Sequence, residues 1–105
     1  MLVVGGISNG PIKHKTTELF DITTQTWSAG IDLPDAIVET ALVGASTSSA
    51  NAAFLISGVQ DDQVSSRIVA LNKHLTEWNE VSGSIKTPRA RHIALQLPQN
   101  VMENC

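Results

Sequence analysis

Leu2-Val3-Val4-Gly5-Gly6 opens a stretch that runs through Glu18-Leu19-Phe20-Asp21 to Trp27 and on to Leu33-Pro34. An apolar run, a glycine pair, a polar loop, a tetrad holding an aromatic, a tryptophan and a proline follow one another. The same order returns as Phe54-Leu55-Ile56, Ser57-Gly58, a polar loop, Val69-Ala70-Leu71-Asn72, Trp78 and Thr87-Pro88. Gly6 and Gly58 are 52 positions apart; Phe20 and Leu71 are 51 apart, and so are Trp27 and Trp78. Self-similarity at a period near 50 residues marks an array of small units and not a one-off globular fold.

Working outward, residues 2–7 are apolar and β-branched and end in glycine, which predicts a buried strand whose glycines let another backbone pass closely. Residues 8–16 are polar, with Gly10-Pro11 as a turn signal. Residues 17–22 alternate as a strand, and Asp21 is placed to cap the turn that precedes the Trp27 strand. Residues 31–34 connect onward. The apolar run 36–45 admits a helical spacing (Ile37, Thr40, Ala41, Gly44), but the repeat register makes it a strand. In the second unit, residues 54–59, 67–71 and 77–81 read as strands. Residues 46–53, 60–63, 72–76 and 82–88 read as loops or turns, and 92–97 as a further strand.

A glycine pair closing an apolar strand, then an aromatic, then a tryptophan with six residues between them, resembles the kelch repeat. Gly5, Gly6, Glu18, Phe20, Asp21, Thr24, Trp27 and Pro34 stand where a kelch motif has them, with Phe20 where tyrosine is usual. In the second copy Ser57 replaces the first glycine, Leu71 the aromatic and Asn72 the aspartate, while Gly58 and Trp78 keep their places. Its end, Pro88-Arg89 followed by His92, is similar to the Pro-Arg-x-x-His of many kelch repeats; the first copy lacks that arginine and histidine. The resemblance spans residues 1–98, with a first copy over about 1–45, a second over about 53–98, a partial strand of a third blade at 92–97, and a tail at 99–105. It implies an all-β fold built of four-stranded antiparallel blades of a kelch β-propeller, in an incomplete ring of about two blades. The first blade lacks its innermost strand, the second has all four, and the third has only its first. Two blades leave sheet faces uncovered, so missing blades or self-association are expected to cover them. Trp27 and Trp78 are expected to pack between blades.

A hydrophobic content of 42% with 16% charged residues is that of a globular chain. The net charge is −3 with scattered Lys and Arg, which argues against nucleic acid and an anionic membrane as partners. No apolar run approaches the ~18 residues of a membrane-spanning helix. Cys105 is the single cysteine and no Asn-x-Ser/Thr sequon occurs, a combination that points to a reducing, cytoplasmic setting.

Motifs for chemistry fall short. Gly5 and Gly10 have phosphate-loop spacing, but Pro11 and Ile12 follow where Lys and Ser/Thr are needed. His14, His74 and His92 lack ligand spacing with each other or with Cys105, so no metal or other cofactor is expected. Gly44-Ala45-Ser46-Thr47-Ser48 approaches a nucleophile elbow and Ser48 breaks it. Asp61-Asp62 is a carboxylate pair whose adjacent side chains point apart. The chain has no tyrosine, so it cannot by itself hold the copper site of oxidases resembling galactose oxidase.

These readings predict a protein-interaction module and not an enzyme. The resemblance implies partner binding on loops joining the glycine strand to the next strand (8–15 and 60–66) and the Trp strand to the next blade (31–36 and 85–91). Lys13, His14 and Lys15 make one loop positive, Asp61 and Asp62 make the next negative, and Arg89 and Arg91 can each grip a carboxylate bidentately. By resemblance the parent protein is a substrate adaptor of a ubiquitin ligase, with a BTB or F-box part elsewhere. Alternatives are a propeller-fold enzyme, such as a sugar epimerase or an oxidase-like protein, and an actin-associated structural kelch protein.

Overall fold

A computed structural model of the chain describes residues 1–10, 12–45 and 49–97. Pro11 of the expected turn, Ser46 to Ser48 of the near-elbow and the tail with Cys105 lie outside the described residues. The described residues are all-β, with antiparallel strands and no helix. The strands are β1 (Leu2–Val4), β2 (Ile7–Ser8), β3 (Ile12–Lys13), β4 (Thr17–Asp21), β5 (Thr26–Ala29), β6 (Ala41–Gly44), β7 (Asn51–Gln60), β8 (Gln63–Asn72) and β9 (Trp78–Glu80). A first sheet has the order β1-β4-β5, a second the order β6-β7-β8-β9, and β2-β3 form a short ribbon.

The two sheets share their register residue for residue. Val3 pairs Glu18 in the first and Leu55 pairs Val69 in the second; Phe20 pairs Trp27 and Leu71 pairs Trp78. Each pair maps on its counterpart by the 52- and 51-residue offsets seen in the sequence. The hydrogen bonds beyond the strands repeat as well: Gly30 N–H donates to Thr17 O and Val81 N–H to Ile68 O, while Leu33 N–H donates to Lys15 O and Ile85 N–H to Ser66 O. The strand-linking turns are both held by the side-chain oxygen at the same repeat position, although it accepts from different neighbours in each. Asp21 Oδ1 accepts from Thr23 N (2.9 Å) and Thr24 N (3.3 Å), and Asn72 Oδ1 accepts from Thr76 N (2.8 Å) and Glu77 N (3.3 Å). Asp and Asn both suit that role, because a short side-chain oxygen reaches backbone N–H groups just ahead of it.

The core lies where the sheets meet. Leu33 and Ile37, from the connection, and Leu55 and Val69, from the second sheet, are buried together, with Val4, Leu42 and Trp78 against them. Each such aliphatic side chain contributes about 1.5–3 kcal/mol by leaving water. Along β1 and β4, Leu2, Val4 and Leu19 point toward the second sheet, while alternation turns Val3, Glu18, Phe20 and Trp27 away from it.

Several expectations change. Trp27 is 52% exposed and leans on Phe20 in a tilted pair, with ring centroids 4.8 Å apart, because no sheet of the described residues covers its face of the first sheet. Trp78 does bridge the sheets: it packs on the core and its Nε1 donates to Ile31 O at 3.2 Å. Residues 92–97 form no strand, since backbone extended there meets no hydrogen-bonding neighbour among the described residues. The polar loops are shorter than expected. β2 and β3 take up part of residues 8–16, and β7 and β8 run on to a two-residue turn at Asp61-Asp62. Both turn residues have positive φ, 52° and 62°, the type I′ geometry that matches strand twist. Of the apolar run 36–45, only Ala41–Gly44 is a strand, with Val38 held to Val59 by an isolated bridge.

Candidate functional site

The glycine pair decides which end of the molecule carries the loops. Gly5 and Gly6 have φ of 59° and 103°, and Ser57 and Gly58 have 59° and 111°. The same kink thus interrupts both hairpins, through glycine in one repeat and through a strained serine in the other. Ser57 is 2% exposed. Its hydroxyl lies 2.8 Å from Arg89 O, accepts Arg89 N–H at 2.8 Å, and has Ser65 O beside it as a further acceptor. Gly58 N–H donates to the same Arg89 O at 2.8 Å. This knot fixes the connection 85–91 against the second hairpin. Thr40 Oγ1, bonding Ile56 O and Ser57 O, does the same for the connection before β6.

Beyond the kink, all four expected loop segments gather at one end. The structure brings several of the expected residues together as pairs. Lys13 Nζ lies 2.8 Å from Asp62 Oδ1, joining the ribbon of the first repeat to the turn of the second. The hydrogen bond to Asp62, and then its charge, raise the Lys13 pKa above the usual lysine value; the same bond and charge hold Asp62 below the usual carboxylate value. Arg91 pairs with Glu39 at 3.1 Å. Glu39 and Arg91 are themselves repeat counterparts, both with positive φ (53° and 56°), and Arg91 N–H donates to Glu39 O. His14 bonds Ser8 Oγ at 2.8 Å. Lys15 and Arg89 act through their backbones, and their exposed side chains make no ion pair among the described residues. Asp61 stands exposed at the turn.

The sequence reading missed Arg67. It lies half-buried at the same end, with Nη1 on Asp35 Oδ2 (3.0 Å) and Gln60 Oε1 (2.9 Å) and Nε on Glu80 Oε1 (3.3 Å). It ties the connection, both hairpin strands and β9 into one unit. The available signal was an arginine opening an otherwise apolar strand. The repeat residues fill structural places: Leu71 is buried opposite Trp78, Phe20 half-buried against Trp27, and Glu18 exposed on the open face. His92 Nε2 donates to Ile56 O at 2.7 Å, and its Nδ1 is buried without a partner. No group of three or more His, Cys, Asp and Glu that could hold a metal ion occurs among the described residues. No helix among them is long and apolar enough to cross a membrane.

No family model and no curated protein matches the chain.

Proposed function

We propose that the chain is a protein-interaction module, a segment of a kelch-type β-propeller whose loop end receives a carboxylate-bearing peptide of a partner protein. One observation carries this reading: loops from both repeats converge at one end of a braced β scaffold, with Lys15 and Arg89 exposed beside the paired Lys13–Asp62 and Arg91–Glu39. A rigid frame bearing charged loops suits recognition, because the frame bears the ordering cost before a partner arrives. Arg89 supplies a planar fork for a carboxylate, and Lys15 a second cation. In the setting the resemblance implies, the peptide is the recognition segment of a ubiquitin-ligase substrate.

The test is selection from a displayed peptide library on the wild-type chain and on the double variant Lys15→Glu/Arg89→Glu. Acidic peptides should be enriched by the wild type and bind the double variant at least about tenfold more weakly, the equivalent of one lost charge-assisted contact. Unchanged circular dichroism would show that the frame survives. Enrichment that ignores the charge reversal would refute the assigned site, and no enrichment at all would refute the function.

A further inference from the structure

The first sheet has three strands where its counterpart has four. Register defines the empty place. In the second sheet β6 pairs β7 through Ala41↔Ile56, Leu42↔Leu55 and Val43↔Phe54. Shifting the β7 residues by the 52-residue offset puts the missing strand along the outer edge of β1, opposite Val4, Val3 and Leu2. No strand among the described residues pairs there, so the edge presents open N–H and C=O groups. Shifting the β6 residues forward by the same offset gives Ile93, Ala94 and Leu95. These occupy β6's place in the second repeat, form no strand, and leave Ile93 87% and Leu95 66% exposed.

We propose that residues 93–96 of one copy add as an antiparallel strand to β1 of a second copy, with Ile93 opposite Val4, Ala94 opposite Val3 and Leu95 opposite Leu2. The occupant follows from the interface already inside the chain. There, the Leu42, Leu55, Val69 and Trp78 face of the second sheet rests on the Val4 side of the first, with Leu33 and Ile37 between. The faces left over are Val3, Phe20 and Trp27 on the first sheet and Phe54, Ile56 and Ile68 on the second. With the same register in both sheets, they are the two halves of that same interface, held on opposite ends of one molecule. Trp78 donates to Ile31 O within the chain; its counterpart Trp27 meets the matching backbone carbonyl, in Ser82–Gly83, of the neighbouring copy. The contact is head-to-tail, so copies add in one sense until a ring closes. Rings of four to eight such sheets correspond to about two to four copies. The inference needs only the repeat register and not the peptide-binding reading.

Sedimentation velocity over a concentration series tests it, beside Ala94→Pro. Residue 94 is in no strand of the single chain, so the proline leaves the fold intact, yet it removes a ladder donor and bars strand addition. The wild type should sediment as a closed oligomer and the variant at the 11.2 kDa of one chain. Register is read by mixing Val3→Cys with Ala94→Cys, each carrying Cys105→Ser, and oxidising. Directly opposed strand residues fall within disulfide reach, so the mixed dimer should form, and Val3→Cys with Leu97→Cys should not. A wild type that stays monomeric at every concentration overturns the proposal. So does an Ala94→Pro chain that still associates, or cross-linking through residue 97 in place of residue 94.

Discussion

Gly6 and Gly58 look alike in the sequence, yet their surroundings separate them. A Cβ at Gly58 would lie 2.8 Å from Val38 O and from Thr40 Cβ, at a φ of 111°. A Cβ at Gly6 meets nothing within 4 Å and suffers only the backbone strain of φ 103°. Gly58→Ala should therefore cost about 3 kcal/mol or more, strain and overpacking combined, and Gly6→Ala about 1–2 kcal/mol. Urea unfolding midpoints check the order; equal losses would sink the argument. The sequence predicts that another backbone passes close to the glycines ending the first strand; it does so at Gly5, where a Cβ would lie 3.1 Å from Ile37 O, and at Gly58, where residues 38–40 lead into β6, but not at Gly6. Local pattern marks a glycine's need for positive φ more readily than it marks the neighbour. Ser57 shows the same limit. Its hydrogen bonds reach Arg89, 32 residues away, so the sequence shows a missing glycine and not the knot that replaces it.

Among the elements, the two tryptophan strands share a place in their sheets and differ in cover. Trp78→Ala should destabilise by about 2–3 kcal/mol, through lost packing on Leu55 and Val69 and a lost bond to Ile31 O. Trp27→Ala should cost about 1 kcal/mol in the single chain, the worth of one aromatic pair. Thermal or urea unfolding of dilute protein measures both, and a Trp27 loss as large as that of Trp78 would show cover over the first sheet. Strand order was legible because alternation and the repeat offset agree at Thr17–Asp21 and again across the second unit. Strand ends were less so. The Asp61-Asp62 turn lacks the glycine that advertises a type I′ hairpin, so the polar residues around it read as a longer loop.

For the whole molecule, the Lys13–Asp62 link fastens the tips of the two hairpins and is exposed, so its worth depends on solvent. Asp62 has a lowered pKa in the folded chain, so its contribution is present above the ordinary carboxylate pKa of about 4 and is lost as pH falls through the folded value. Lys13 is raised, so its contribution is present below the ordinary lysine pKa and fades as pH climbs past the folded one. A carboxyl-carbon NMR titration should find Asp62 below the usual range, and back within it in Lys13→Met or in high salt. An unmoved Asp62 in that variant would remove the link. The pairing of these residues was hidden in the sequence, which offered a positive loop and a negative loop but not their distance. The connection between the sheets has a different consequence. By topology residues 30–40 are a linker, yet Leu33 and Ile37 are 2% and 3% exposed and stand at the centre of the core. Because the linker shares one buried cluster with Leu55 and Val69 of the second sheet, the two repeats should melt as one cooperative unit. A protease seeking a flexible joint between domains finds none there until the whole chain has opened.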